Sequence, residues 1–141
     1  GMHLLIDDGD LGVEFQAGTF ATSRAFLKDH RDTVLRFTRA ISQGIKYYKT
    51  NKEGSEKALS DFTKTTDQAE LDESWQLFAL KYTSKVPNLT VKGTQYVMDN
   101  VIKNPEVKNH KPEDFMDMSV VQQLKDEGLY QQLWGNDQAG V

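Results

Sequence analysis

The sequence has 141 residues, 38% of them hydrophobic and 27% charged, enough for one domain with a core and too short for two. Seventeen Lys and Arg against twenty-one Asp and Glu leave a net charge of -4, which argues against a nucleic-acid binder built on a basic face, because phosphate contacts need clustered cations. The absence of cysteine excludes a disulfide framework, a thiolate metal site and a cysteine nucleophile, and leaves the compartment open.

Gly1 before Met2 reads as a tag-cleavage remnant, and residues 1–11 read as an N-terminal extension without a positively charged, apolar signal-peptide pattern. No apolar run is long enough to span a bilayer. From Val13 to Ala21, Phe15 and Phe20 stand among small and polar residues with Gly12 and Gly18 as punctuation, which predicts a strand or strand pair. Such a run needs a partner, since backbone N–H and C=O groups cannot stay unpaired in a core.

The period then changes to that of helices. Thr22 or Ser23 is placed to cap a short helix holding Ala25, Phe26 and Leu27, and Asp32 to cap a longer one. Val34, Phe37, Ile41, Ile45 and Tyr48 recur at three and four, so this helix carries an apolar stripe and ends near "KTNKEG". Glu56 to Thr63 follows with Leu59 and Phe62 on one face. After "TTDQAE", where Asp67 or Thr66 is the cap and Glu70 suits the helix dipole, Leu71, Trp75, Phe78 and Tyr82 form an aromatic seam that stops before Pro87. Phe37, Ile41, Trp75 and Phe78 are the expected core.

Val97, Met98, Val101 and Ile102 predict a helix across "TVKGTQYVMDNVIKN", and "PEVKNHKPED" reads as a polar linker. Asp117 is the expected cap of a last helix, "SVVQQLKDEG", which Gly128 closes in the left-handed conformation, Leu129 turning back onto the surface. Residues 134–141 read as a flexible tail, so residues 1–141 form one domain with loose ends.

Catalytic constellations are scarce. There is no nucleophile elbow, Walker loop, dinucleotide fingerprint or paired-cysteine motif. The acidic run "DDGDLG" fails as a calcium loop: Gly12 stands where a ligand oxygen is needed, Val13 where glycine is needed and Thr19 where the closing Glu is needed. His3, His30 and His110 lack metal-ligand spacing, and no cofactor is expected. Glu70, Asp72 and Glu73 read as a solvated helix start rather than an acid–base pair. Tyr47 and Tyr48, beside Lys46 and Lys49, read as core or interface rather than as a stacking platform for bases.

The stretch "FQAGTFATSRAFLKDHRDTVLRFTRAISQGIKYYKTNKEGSEKALSDFTK" resembles the C-terminal half of periplasmic substrate-binding proteins of ABC importers, in the branch that handles thiamine-pyrimidine precursors, aliphatic sulfonates, taurine and nitrate. The matching features are the small polar residues after a strand, the Thr22 to Phe37 helix entrance, the Tyr47 to Asn51 helix end and the closing "KPEDFMDMSVVQQLKDEGLY". The resemblance runs from about Gly12 to Leu129. It implies the C-terminal portion of a type II periplasmic binding protein-like α/β fold, mainly α with one or two short N-terminal strands, without the N-terminal lobe and most of the central one.

It also implies a noncatalytic solute-binding component, or a fragment of one, which binds a small organic or anionic nutrient and meets an ABC permease in the periplasm or outside the cell. Gln16, Gly18 and Thr19 match the positions that face the ligand cleft in that fold. The competing expectation is a helical protein-interaction or oligomerisation module derived from it. A strand without its sheet leaves an open edge, so a homodimer through Leu4 to Ala21 is expected.

Overall fold

The computed structural model describes residues 8–16 and 18–136. Among these residues the chain is helical with no strand, and its longest element is the helix with the clearest stripe, α2 (Arg31–Thr50). Before it stands α1 (Arg24–Asp29), after it α3 (Lys52–Thr63) and α4 (Gln68–Ser74), which runs directly into a π-helical stretch, Trp75–Tyr82. The second half holds α5 (Val91–Asn100), 3₁₀ turns at Pro105–Asn109 and Pro112–Phe115, α6 (Ser119–Asp126) and α7 (Leu129–Trp134).

Local chemistry explains most boundaries. The Ser23 hydroxyl accepts from Phe26 N at 3.1 Å, opening α1, and Asp67 Oδ1 accepts from Ala69 N at 2.9 Å, opening α4. Asn51 ends α2 and caps α3 at once, its side chain accepting from Gly54 N at 2.9 Å. Asp32 does not cap α2. His30 holds that position, and Asp32 sits in the first turn, paired with Arg36 at 3.0 Å. Gly128 takes φ 80 as its position after α6 requires. Asp117 does not hold the cap position of α6, which is Met118, and instead its Oδ1 accepts from Ser119 N at 2.9 Å.

The core differs from the expected one. Val86, Val120, Leu124, Leu129 and Tyr130 are buried together, with Leu27, Val34, Leu35, Val121, Leu133 and Trp134 packed around them. Leu129 therefore turns inward rather than onto the surface, and Trp134 belongs to α7 rather than to a tail. The last five tail residues lie outside the described residues. Because α6 and α7 both pack on α2, its inner face centres on Thr38 and Ser42. Phe37 lies beyond the edge of that face and is 45% exposed, while Ile41 is half-buried.

The aromatic seam is displaced by winding. In a helix whose turns close i→i+5, residues four apart stay in line, so Leu71, Trp75 and Ala79 face inward. Ala79 is fully buried, Trp75 half-buried, and Phe78 is turned out to 52% exposure. On α3, Leu59 is half-buried and Phe62 is 87% exposed. The "PEVKNHKPED" linker is less loose than its polarity predicts, since each 3₁₀ turn begins on a proline and buries one residue, Val107 or Pro112.

Side chains tie distant parts of the chain together. Ser42 Oγ donates to Thr38 O at 2.8 Å and shares a 3.2 Å hydrogen bond with the buried Tyr130 hydroxyl, whose pKa burial pushes up. Arg24 Nη2 donates to Asp114 O at 2.5 Å, and Arg39 pairs with Glu127 at 2.5 Å. Trp75 Nε1 donates to Tyr48 O at 2.8 Å. Lys49 Nζ donates to Ala79 O and, at 2.7 Å, to Thr83 O. Burial, with Lys85 nearby, pulls the Lys49 pKa below the usual lysine range.

Candidate functional site

The segment from Val13 to Ala21 is where the expected strand and the expected ligand contacts coincide. Its described residues form irregular chain instead of a strand, because none of them offers a second β run to complete a ladder. Side chains hold it in place. Glu14 lies 3.7 Å from Lys92, Phe15 meets Tyr96 edge-on with ring centroids 5.9 Å apart, and Gln16 Oε1 accepts from Thr90 N at 3.2 Å. Thr90 and Lys92 stand at the start of α5 and Tyr96 near its middle.

Gly93 permits this approach. A Cβ there would lie 3.3 Å from both Gln16 Cβ and Gln16 N and 2.8 Å from Thr90 Oγ1, the atom that caps α5 by accepting from Gly93 N at 2.9 Å. Gly93 and Thr90 escaped the sequence reading, although a glycine inside a helical pattern is a sign of close backbone approach. At the other end of the segment, Phe20 meets Phe37 of α2 edge-on at 4.9 Å between centroids.

The predicted site residues thus divide. Gln16 is half-buried and engaged with α5, whereas Gly18 and Thr19 are exposed between the Phe15 and Phe20 anchors. A Cβ built on Gly18 meets nothing within 4 Å. A cavity of about 130 Å³ lies elsewhere, lined by Val86, Met118, Val121 and Tyr130 with Asn88, Gln122 and Lys125, and does not include the three residues. The arrangement presents two open positions on a tethered span.

Two of the carboxylates at the start of α4 are held by neighbouring side chains. Asp72 pairs with Lys52 at 2.7 Å and accepts from Gln68 at 3.1 Å, and these contacts, Lys52 foremost, hold its carboxyl below the usual range. Glu70 accepts the Thr65 hydroxyl at 2.9 Å. The His30 ring lies tilted against Phe26 with centroids 4.6 Å apart, and His110 lies 3.5 Å from Asp114 and against Phe115. His3 is outside the described residues. Among those described, no three His, Asp or Glu residues gather as metal ligands, and no helix is long and apolar enough to cross a membrane.

Residues 3–55 match the family model described as NMT1/THI5 like. No curated protein and no solved structure matches the chain. The matched stretch takes in the tethered segment, α1, α2 and the first turn of α3, less than half of the sequence. It supports a relationship with periplasmic binding protein-like chains, a generally noncatalytic group, and a solute-binding role at that coarse level.

Proposed function

We propose that this chain is part of the solute-binding component of an ABC-type importer, located in the periplasm or outside the cell. The carrying observation is that the family match contains the tethered segment that leaves Gly18 and Thr19 open. A small organic or anionic nutrient, of the thiamine-precursor, sulfonate, taurine or nitrate kind, is held between these two residues with Gln16 and a further lobe on this or another chain. Closure around the ligand shifts the population toward the form that the permease recognises.

Ligand-dependent melting with these four classes of compound, on this chain and on a longer relative carrying both lobes, tests the reading. It requires a shift with one class, and binding by the present chain must weaken in Gly18→Val or Thr19→Ala wherever it occurs. Unchanged affinity in both variants removes these residues from the site. No shift with any class, in either protein, removes the solute-binding role.

A second reading, a helical interaction module, is favoured by the outward-facing rings of Phe20, Phe37, Phe62 and Phe78. Its form is a homodimer through Leu4 to Ala21, of which Leu4 to Asp7 and Ala17 lie outside the described residues. Light scattering distinguishes a dimer from a monomer directly.

A further inference from the structure

The helix that begins at Gln68 carries two alternative inner faces. With α-helical winding, Leu71, Trp75, Phe78 and Tyr82 would form one apolar seam at spacings of four, three and four. With i→i+5 winding, Leu71, Trp75 and Ala79 align instead. The structure holds the second arrangement: Thr83 N donates to Phe78 O, five residues back, at 2.9 Å, and Phe78 and Tyr82 are exposed.

The two ends of this segment are fastened differently. Trp75 lies on both faces, and its indole N–H on Tyr48 O at 2.8 Å is compatible with either winding. The far end depends on Lys49, which donates to Ala79 O and Thr83 O. In α winding the Thr83 N–H would donate to Ala79 O, since helical amides reach four residues back. The Lys49 ammonium therefore sits on the carbonyl oxygen that the Thr83 amide would use in α winding.

We propose that Trp75–Tyr82 is a two-register element: Lys49 holds the π-helical register, and its release lets the segment tighten into an α-helix that turns Phe78 and Tyr82 toward α2 and Ala79 outward. The exchange keeps Ala79 O satisfied, because the oxygen that loses the ammonium gains an amide donor, while Thr83 O gives up its ammonium donor at the end of the segment. Residues 83–90, which are irregular, absorb the change in direction before α5. The device couples the C-terminal end of α2 to the exposure of an aromatic surface, two packings of one sequence separated by a discrete rearrangement.

Fluorine NMR of the fluorophenylalanine-labelled full chain tests it, with the Phe78 signal assigned by Phe78→Leu. The expected result is that the Phe78 signal loses its sensitivity to exchange of H2O for D2O in Lys49→Met and keeps it in Lys49→Arg. A folded Lys49→Met protein whose Phe78 is as solvent-sensitive as in the wild type overturns the proposal. Should Lys49→Met not fold, nitrogen relaxation dispersion on the wild-type chain decides: millisecond exchange confined to residues 75–83 supports the two registers, and a flat profile there overturns them.

Discussion

Arg31 donates from Nε and Nη2 to a single oxygen, Gln123 Oε1, at 3.2 and 3.0 Å. The same guanidinium reaches the Ser119 hydroxyl at 3.2 Å and the Ser119 carbonyl at 3.3 Å, so the first residue of α2 is fastened to the first turns of α6. Arg31→Ala is expected to cost about 1.5–3 kcal/mol, the range for hydrogen bonds to charged groups. Arg31→Lys recovers only part, because an ammonium lacks the planar fork. Urea unfolding of the three proteins measures this, and a Lys variant as stable as the wild type would mean that charge alone suffices.

Leu124 and Phe37 rank the two sides of α2. Leu124 has no exposed surface, and Leu124→Ala is expected to cost about 2–5 kcal/mol through lost burial and the cavity left behind. Phe37 keeps an edge contact with Phe20 and little else that burial would reward, so Phe37→Ala is expected to cost roughly 0.5–1.5 kcal/mol. Thermal melts of both variants check the order. The reverse order would place the core on the wrong side of the helix.

Lys64 ends α3 with φ 63, the left-handed conformation in which a side chain is strained. Lys64→Gly relieves a cost of roughly 1–2 kcal/mol, offset by the greater chain entropy of glycine, for a net gain of about 1 kcal/mol or less. The substitution also removes an exposed Lys64 Nζ to Asp61 O contact of 2.6 Å. A lower melting temperature in Lys64→Gly would show that this contact outweighs the backbone.

Asp117 supplies a pH dependence. The Ser119 hydroxyl, then the Ser119 amide, hold its carboxyl below the ordinary aspartate range. A folded pKa below the unfolded one means that the unfolded chain binds more protons in acid, so the stabilisation is complete above roughly pH 3.9 and is lost as pH falls through the lower folded value. Unfolding free energies measured from pH 5 downward should fall less steeply in Asp117→Asn than in the wild type. Parallel curves would assign the acid sensitivity to other carboxylates.

Much of the helical architecture is legible where the determining chemistry is local. Ser23, Asp67 and Gly128 act on backbone groups within a few residues of themselves, so position narrows the first cap to Thr22 or Ser23 and the second to Thr66 or Asp67, and points to Gly128 directly. The strand over Val13 to Ala21 and the burial of Phe37 and Phe78 are not local questions. A strand exists only with its neighbour, and the inward face of α2 is chosen by α6 and α7, far along the chain. Phe78 was misplaced because the period of the winding itself changes at Trp75. At the candidate site, the type of Gln16 was readable, but its engagement with Thr90 depends on a contact across 74 residues.

The contacts that close the core join the two ends of the chain: Arg31 meets Gln123 across 92 positions, and Ser42 meets Tyr130 across 88. During synthesis, α2 emerges before α6 and α7, and the side of it that they cover stays open until they have left the ribosome. Closure over such separations carries a large entropy cost before any contact repays it, which slows folding. Nascent chains halted before Ser119 would therefore leave the side of α2 that faces α6 and α7 uncovered to chaperones and proteases, making release of these two helices the step that closes this core.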